Sequence, residues 1–84
     1  MADRVKVCVD APPDVTEDED VAEAILEELF GKVESILGVS LGCEHGSRGR
    51  SFCTDENGRD YDAYHYYNAR QGKACLVLIT LDGG

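Results

Sequence analysis

Between Thr16 and Leu37 the chain reads TEDEDVAEAILEELFGKVESIL, and this stretch leaves a small protein few ways to fold. Turned at about 100° per residue, it gathers Val21, Ala22, Ile25, Leu26, Leu29, Phe30, Val33, Ile36 and Leu37 on one half of a helical cylinder. Asp20, Glu23, Glu27 and Glu34 fall together on the other half. A helix of this kind must bury its apolar half against another layer. Thr16 followed by Glu19 fits a capping box, and Glu17, Asp18 and Glu19 sit where the helix dipole favours negative charge. The pattern therefore predicts a helix over 16–37 that stops at Gly38. Gly31 inside it costs up to about 1 kcal/mol relative to alanine.

The partner layer is written in the remaining residues. Arg4 to Asp10 alternates, with Val5, Val7 and Val9 on one side and Arg4, Lys6, Cys8 and Asp10 on the other, as a half-wet strand does. Pro12 and Pro13 cannot continue the ladder and deliver the chain to the helix. Val39 to Cys43 reads as a short strand, and Glu44 to Gly49 as a loose segment. Asn57-Gly58 between strand-like runs 50–55 and 59–68 favours a two-residue type I′ hairpin. That register pairs Cys53 with Asp62, Phe52 with Ala63 and Arg50 with His65. It places Phe52, Tyr61, Ala63, His65 and Tyr67 on one face, and Cys53, Asp62, Tyr64 and Tyr66 on the other. Lys73 to Leu81 is apolar on both faces, like a strand inside a sheet. The order β-α-β-β-β predicts one α+β domain spanning 1–84, with a single amphipathic helix on a mostly antiparallel sheet of about four strands.

Charge narrows the function. The 84 residues carry 17 acids against 8 bases, a net charge of -9, which argues against direct contact with nucleic acid or an anionic membrane. The imbalance is local: residues 1–34 hold 11 acids and 3 bases, while Asp14 to Glu28 hold eight acids and no base. A solvated, well-capped helix face is one account of this. The other is a rigid negative surface whose carboxylates stand in for phosphates and occupy a basic groove. No segment approaches the ~20 apolar residues of a membrane span, and the opening residues form no signal peptide. A cytoplasmic protein is expected, with Cys8, Cys43, Cys53 and Cys75 as reduced thiols. Two bridges are the expectation if the protein is secreted.

Other constellations are weaker. Four tyrosines, two aspartates and His65 within Asp60 to Tyr67 would suit an interface, with Asp62, Tyr64 and Tyr66 as the candidate contacts. Cys43, His45, Cys53 and His65 are zinc-type ligands, but no CxxC knuckle is present, and the type I′ register separates Cys53 from His65. No metal or other cofactor is expected. The Asn57-Gly58 region fails as a calcium loop, because Cys53 and Tyr64 fall where Asp and Glu are required. Gly46 to Arg50 lacks the Lys-Ser/Thr ending of a phosphate loop.

Gly83-Gly84 after a strand resembles the tail of ubiquitin-like sulfur carriers, and that resemblance implies a carboxylate activated at Gly84. As a whole, with its length, its charge, the acidic helix 16–37 and the tyrosine-rich hairpin, the chain resembles small acidic phage inhibitors of host defence, the anti-CRISPR proteins. This resemblance implies a stoichiometric, non-enzymatic binder of a basic nucleic-acid-binding complex, a CRISPR-Cas effector, acting in the host cytoplasm. Asp20, Glu23, Glu27 and Glu34 would then be the primary contacts, with Asp62, Tyr64 and Tyr66 as a second set.

Overall fold

Alternating Val5, Val7 and Val9 do make a strand, and the apolar run near the C-terminus lies beside it. A computed structural model describes residues 4–81; Gly83 and Gly84, and with them the carrier-tail reading, lie outside the described residues. The elements are β1 (Arg4–Asp10), a short 3-10 helix (Pro13–Thr16), α1 (Glu19–Leu37), β2 (Leu41–His45), β3 (Arg50–Asp55), β4 (Asp60–Asn68) and β5 (Lys73–Thr80). All neighbouring strands run antiparallel, in the order β1-β5-β4-β3-β2. The α+β class and the single helix stand, with five strands rather than about four. Strand β2 starts later than the sequence suggests and absorbs Glu44 and His45 from the segment expected to be loose.

The helix also starts later. Pro12 and Pro13 set the backbone for a 3-10 turn in which the Thr16 hydroxyl donates to the Pro13 carbonyl, so Thr16 is not the cap. Asp18 is: its Oδ1 accepts from the Asp20 and Val21 N–H groups. Gly38 ends the helix as expected, in the left-handed region at φ 71°, with its N–H on the Glu34 carbonyl.

The core is built more by β5 than by the helix. Leu29 and Val33 are the fully buried residues of α1, and they meet Val7 and Val9 of β1, Leu76 and Leu78 of β5, and Tyr61 and Ala63 of β4. Ile36, predicted for the apolar half, is 61% exposed. On the helix-free face, Cys75 and Val77 are buried without a second layer. Their cross-strand neighbours supply the cover: Lys6 and Tyr64 flank Val77, while Cys8 and Tyr66 flank Cys75. The Tyr64 and Tyr66 rings stack at 6.2 Å, with the Lys6 ammonium 5.8 Å from the Tyr66 ring centre.

The β3–β4 register differs from the expected one by one residue. Cys53 faces Tyr61, Phe52 faces Asp62 and Arg50 faces Tyr64, so every β3 side chain changes face while β4 keeps its sorting. Asp55 is the cause. Its carbonyl accepts from the Gly58 N–H, and its N–H donates to the Arg59 carbonyl. Its Oδ1 accepts from the Asn57 and Arg59 N–H groups. This is a turn with Gly58 left-handed at φ 84°, one residue longer than type I′. The Tyr61 hydroxyl then donates to Asp55 Oδ2 at 2.7 Å.

Burial of Asp55 works to raise its pKa, but the hydrogen bonds from Tyr61, Arg59 and Asn57 and the Arg59 charge outweigh it, holding the carboxyl below its ordinary value of 3.8. A carboxylate with a depressed folded-state pKa contributes stability that is complete above the unfolded value and disappears as pH falls through the folded value. Asp55→Asn is therefore expected to flatten the acid limb. Between about pH 5 and pH 2, its urea midpoint should fall less than that of the wild type. Parallel curves for the two proteins would show that Asp55 does not titrate with folding.

The β1–β5 and β2–β3 registers bring the cysteines together. Cys8 lies opposite Cys75 and Cys43 opposite Cys53, with Cα atoms 4.1 and 4.0 Å apart, and both pairs are disulfides. The expectation of four reduced thiols is overturned, because two adjacent-strand pairs place the sulfurs face to face. One bridge ties edge strand β1 to β5, and the other ties edge strand β2 to β3.

Candidate functional site: an acidic trough beside the helix

One helix about 10 Å wide cannot cover five strands spaced about 4.8 Å apart. Here α1 packs on β1 and β5, leaving a trough between its other flank and the helix-side face of β2–β4. The part beside the first half of α1 has a volume of about 410 Å³ and is lined by Val15, Ala22, Ile25, Leu26, Tyr67 and Ala74, with His65 and the exposed acids Glu19, Asp20 and Glu23. The part beside the second half, about 340 Å³, is lined by Leu26, Phe30, Leu41, Cys43 and His45 together with Glu23, Glu27 and Glu34. Glu23 and Leu26 belong to both parts.

The four helix acids singled out in the sequence thus lie along one trough, but they are not equivalent. Asp20, Glu23 and Glu27 are exposed. Glu34 is half-buried, and its Oε2 accepts from the Leu41 N–H at 2.7 Å, fastening the helix end to the start of β2. An acid in the last helical turn opposes the dipole, and the hydrogen bond from Leu41 offsets that conflict. The second predicted set lies elsewhere. Tyr66 borders the trough through its place in β4, but its ring stacks with Tyr64 on the opposite face of the sheet. Asp62, on that face too, is 4.0 Å from Arg50.

The histidines enter the site in a way the assumed register hid. With β3 shifted, Cys53 and His65 share the helix-side face, and His45 joins them from β2. His45 Nδ1 pairs with Ser51 Oγ at 2.9 Å, and its ring meets Phe30 edge-on at 6.1 Å. Loss of solvent around His65, followed by the charge of nearby His45, lowers the His65 pKa below 6.5, so its ring is neutral at neutral pH. The zinc set does not assemble: Cys43 and Cys53 are bonded to each other, and no group of three or more metal-type ligands occurs among the described residues.

Two ion pairs occur among the described residues, Arg50 with Asp62 and Lys73 with Asp10, and neither involves an α1 acid. The helix side is a row of carboxylates without counter-charges, next to an apolar recess. Among the described residues no helix is long and apolar enough to cross a membrane. Compared with known proteins, the chain matches no family model, no curated protein and no solved structure.

Proposed function

We propose that the chain is a non-enzymatic binding domain that uses its acidic helix to occupy a basic, nucleic-acid-binding surface of another protein, most specifically a CRISPR-Cas effector. One observation carries this reading: Asp20, Glu23 and Glu27 are exposed along a capped helix and have no basic partner among the described residues. Like charges held at i,i+4 weaken a helix slightly, and a fixed row of them gives a basic groove a pre-organised counter-surface. The test is a gel shift with guide-loaded effectors and target DNA. Stoichiometric protein should abolish DNA binding, with weaker inhibition at high salt. Glu23→Lys/Glu27→Lys should lower inhibition at least tenfold without moving the thermal melt. Equal inhibition by the folded variant would remove the acidic face from the mechanism, and an unaffected effector panel would remove the CRISPR-Cas partner.

The two disulfides favour a second reading of where such a domain works. Disulfides persist in oxidising compartments and are reduced in the cytosol, so a cytoplasmic inhibitor would act with both bridges open. Thiol alkylation at the moment of cell lysis, followed by intact mass measurement, separates the cases. Four labelled cysteines favour the cytoplasm, and none favours a binding domain of an oxidising compartment.

A further inference from the structure

The recess beside the first half of α1 sets an apolar wall against an acidic helix lip. Its wall is apolar, formed by Ala22, Ile25 and Leu26 of the helix and Tyr67 and Ala74 of the sheet. Its helix lip is wholly acidic, with Glu19, Asp20 and Glu23 exposed and unpaired. We propose that this recess takes a single large apolar side chain from a lysine- or arginine-rich peptide segment of the partner, while flanking bases engage the acidic lip. The assignment rests on the binding function proposed above and names the element that the acidic face recognises.

Charge complementarity selects the occupant. An anionic ligand would be repelled by three carboxylates, and a purely apolar one would leave them unused. A basic strand or helix with one apolar anchor satisfies both parts of the site. Non-polar burial supplies most of the affinity, and the salt-sensitive contacts supply orientation and association rate. His65 at the end of the recess remains neutral at neutral pH, so it adds no opposing charge. At about 410 Å³ the recess has the larger volume of the two parts, and the rings that border the second part, Phe30 and His45, already meet edge-on.

The probe is a lysine-rich 12-residue peptide with one central tryptophan, compared by fluorescence anisotropy at low salt with the same peptide carrying alanine there. Both peptides carry a terminal dye. The tryptophan peptide should bind the intact protein about tenfold or more tightly than the alanine peptide, the effect of burying one large apolar side chain. Glu19→Lys/Glu23→Lys should weaken both peptides, and Ala22→Trp, which fills the recess, should erase the difference between them. Circular dichroism melts confirm that each variant is folded. If Ala22→Trp does not fold, chemical-shift changes in the wild type replace it, and they should centre on Ala22, Leu26 and Tyr67 with the tryptophan peptide alone. Equal affinities for the two peptides would overturn the anchor recess while leaving the acidic-face reading standing. If neither peptide binds at low salt, both readings fall.

Discussion

Replacing Cys8 and Cys75 together by alanine is expected to lower the unfolding free energy by about 4 kcal/mol, and replacing Cys43 and Cys53 by about 2.7 kcal/mol. The ranking follows from chain connectivity. The first bridge joins residues 67 apart in sequence and the second joins residues 10 apart, so cutting the first releases much more freedom to the unfolded chain. In a domain of this size, with a total of roughly 5–15 kcal/mol, that loss puts the fold close to its limit. Urea titrations of the oxidised protein and the two double variants measure both losses. The steeper denaturant dependence expected of the Cys8/Cys75 variant would report a more expanded unfolded state. Cys53 and Cys75 are both buried, but Cys43 is half-buried against the core and Cys8 is exposed. Each variant is therefore compared with the wild type in its reduced as well as its oxidised form, to separate the crosslink from the packing. A larger crosslink contribution from Cys43–Cys53 than from Cys8–Cys75 would contradict the connectivity argument.

Leu76→Ala is expected to cost about 2–5 kcal/mol. Leu76 is 0% exposed, on a strand with neighbours on both sides, and it belongs to the cluster that includes Leu29, Val33 and Val7. Removing its branched end leaves a void that two rigid layers cannot close. Ile36→Ala is the control, because 61% exposure leaves little burial to lose, and a change within about 0.5 kcal/mol is expected. By sequence pattern alone both residues belong to an apolar face. Similar losses in urea melts of the two variants would mean that α1 docks in a different rotation.

That contrast shows how much the sequence reveals. Periodicity located the helix, its Gly38 stop and the strands, because these depend on neighbours within a few residues. The N-terminal boundary moved from Thr16 to Asp18 because the 3-10 turn after the two prolines takes up the Thr16 hydroxyl, leaving Asp18 to cap the helix. The hairpin moved by one residue because the Asp55 carboxylate, which no dipeptide rule counts, organises a longer turn. From that single displacement followed the changed face of Cys53, which now shares the helix side of the sheet with Tyr61 and His65. The trough was not legible at all. It depends on which two of five strands the helix covers, and that is decided by packing across the whole sheet rather than by any local pattern. The row of helix acids was legible, but the use of Glu34 as an internal fastener was not.

The first and last strands are neighbours, with Arg4 opposite Ile79. Joining those two ends by a short linker and opening the chain at the exposed turn around Gln71 would keep every strand pairing within the sheet. The Cys8–Cys75 bond would then span only a short hairpin instead of the helix and the whole meander. In such a circular permutant the same two sulfurs, in the same place, would contribute about 1 kcal/mol less stability. The strength of this crosslink is a property of the path the chain takes between the cysteines, not of the bond.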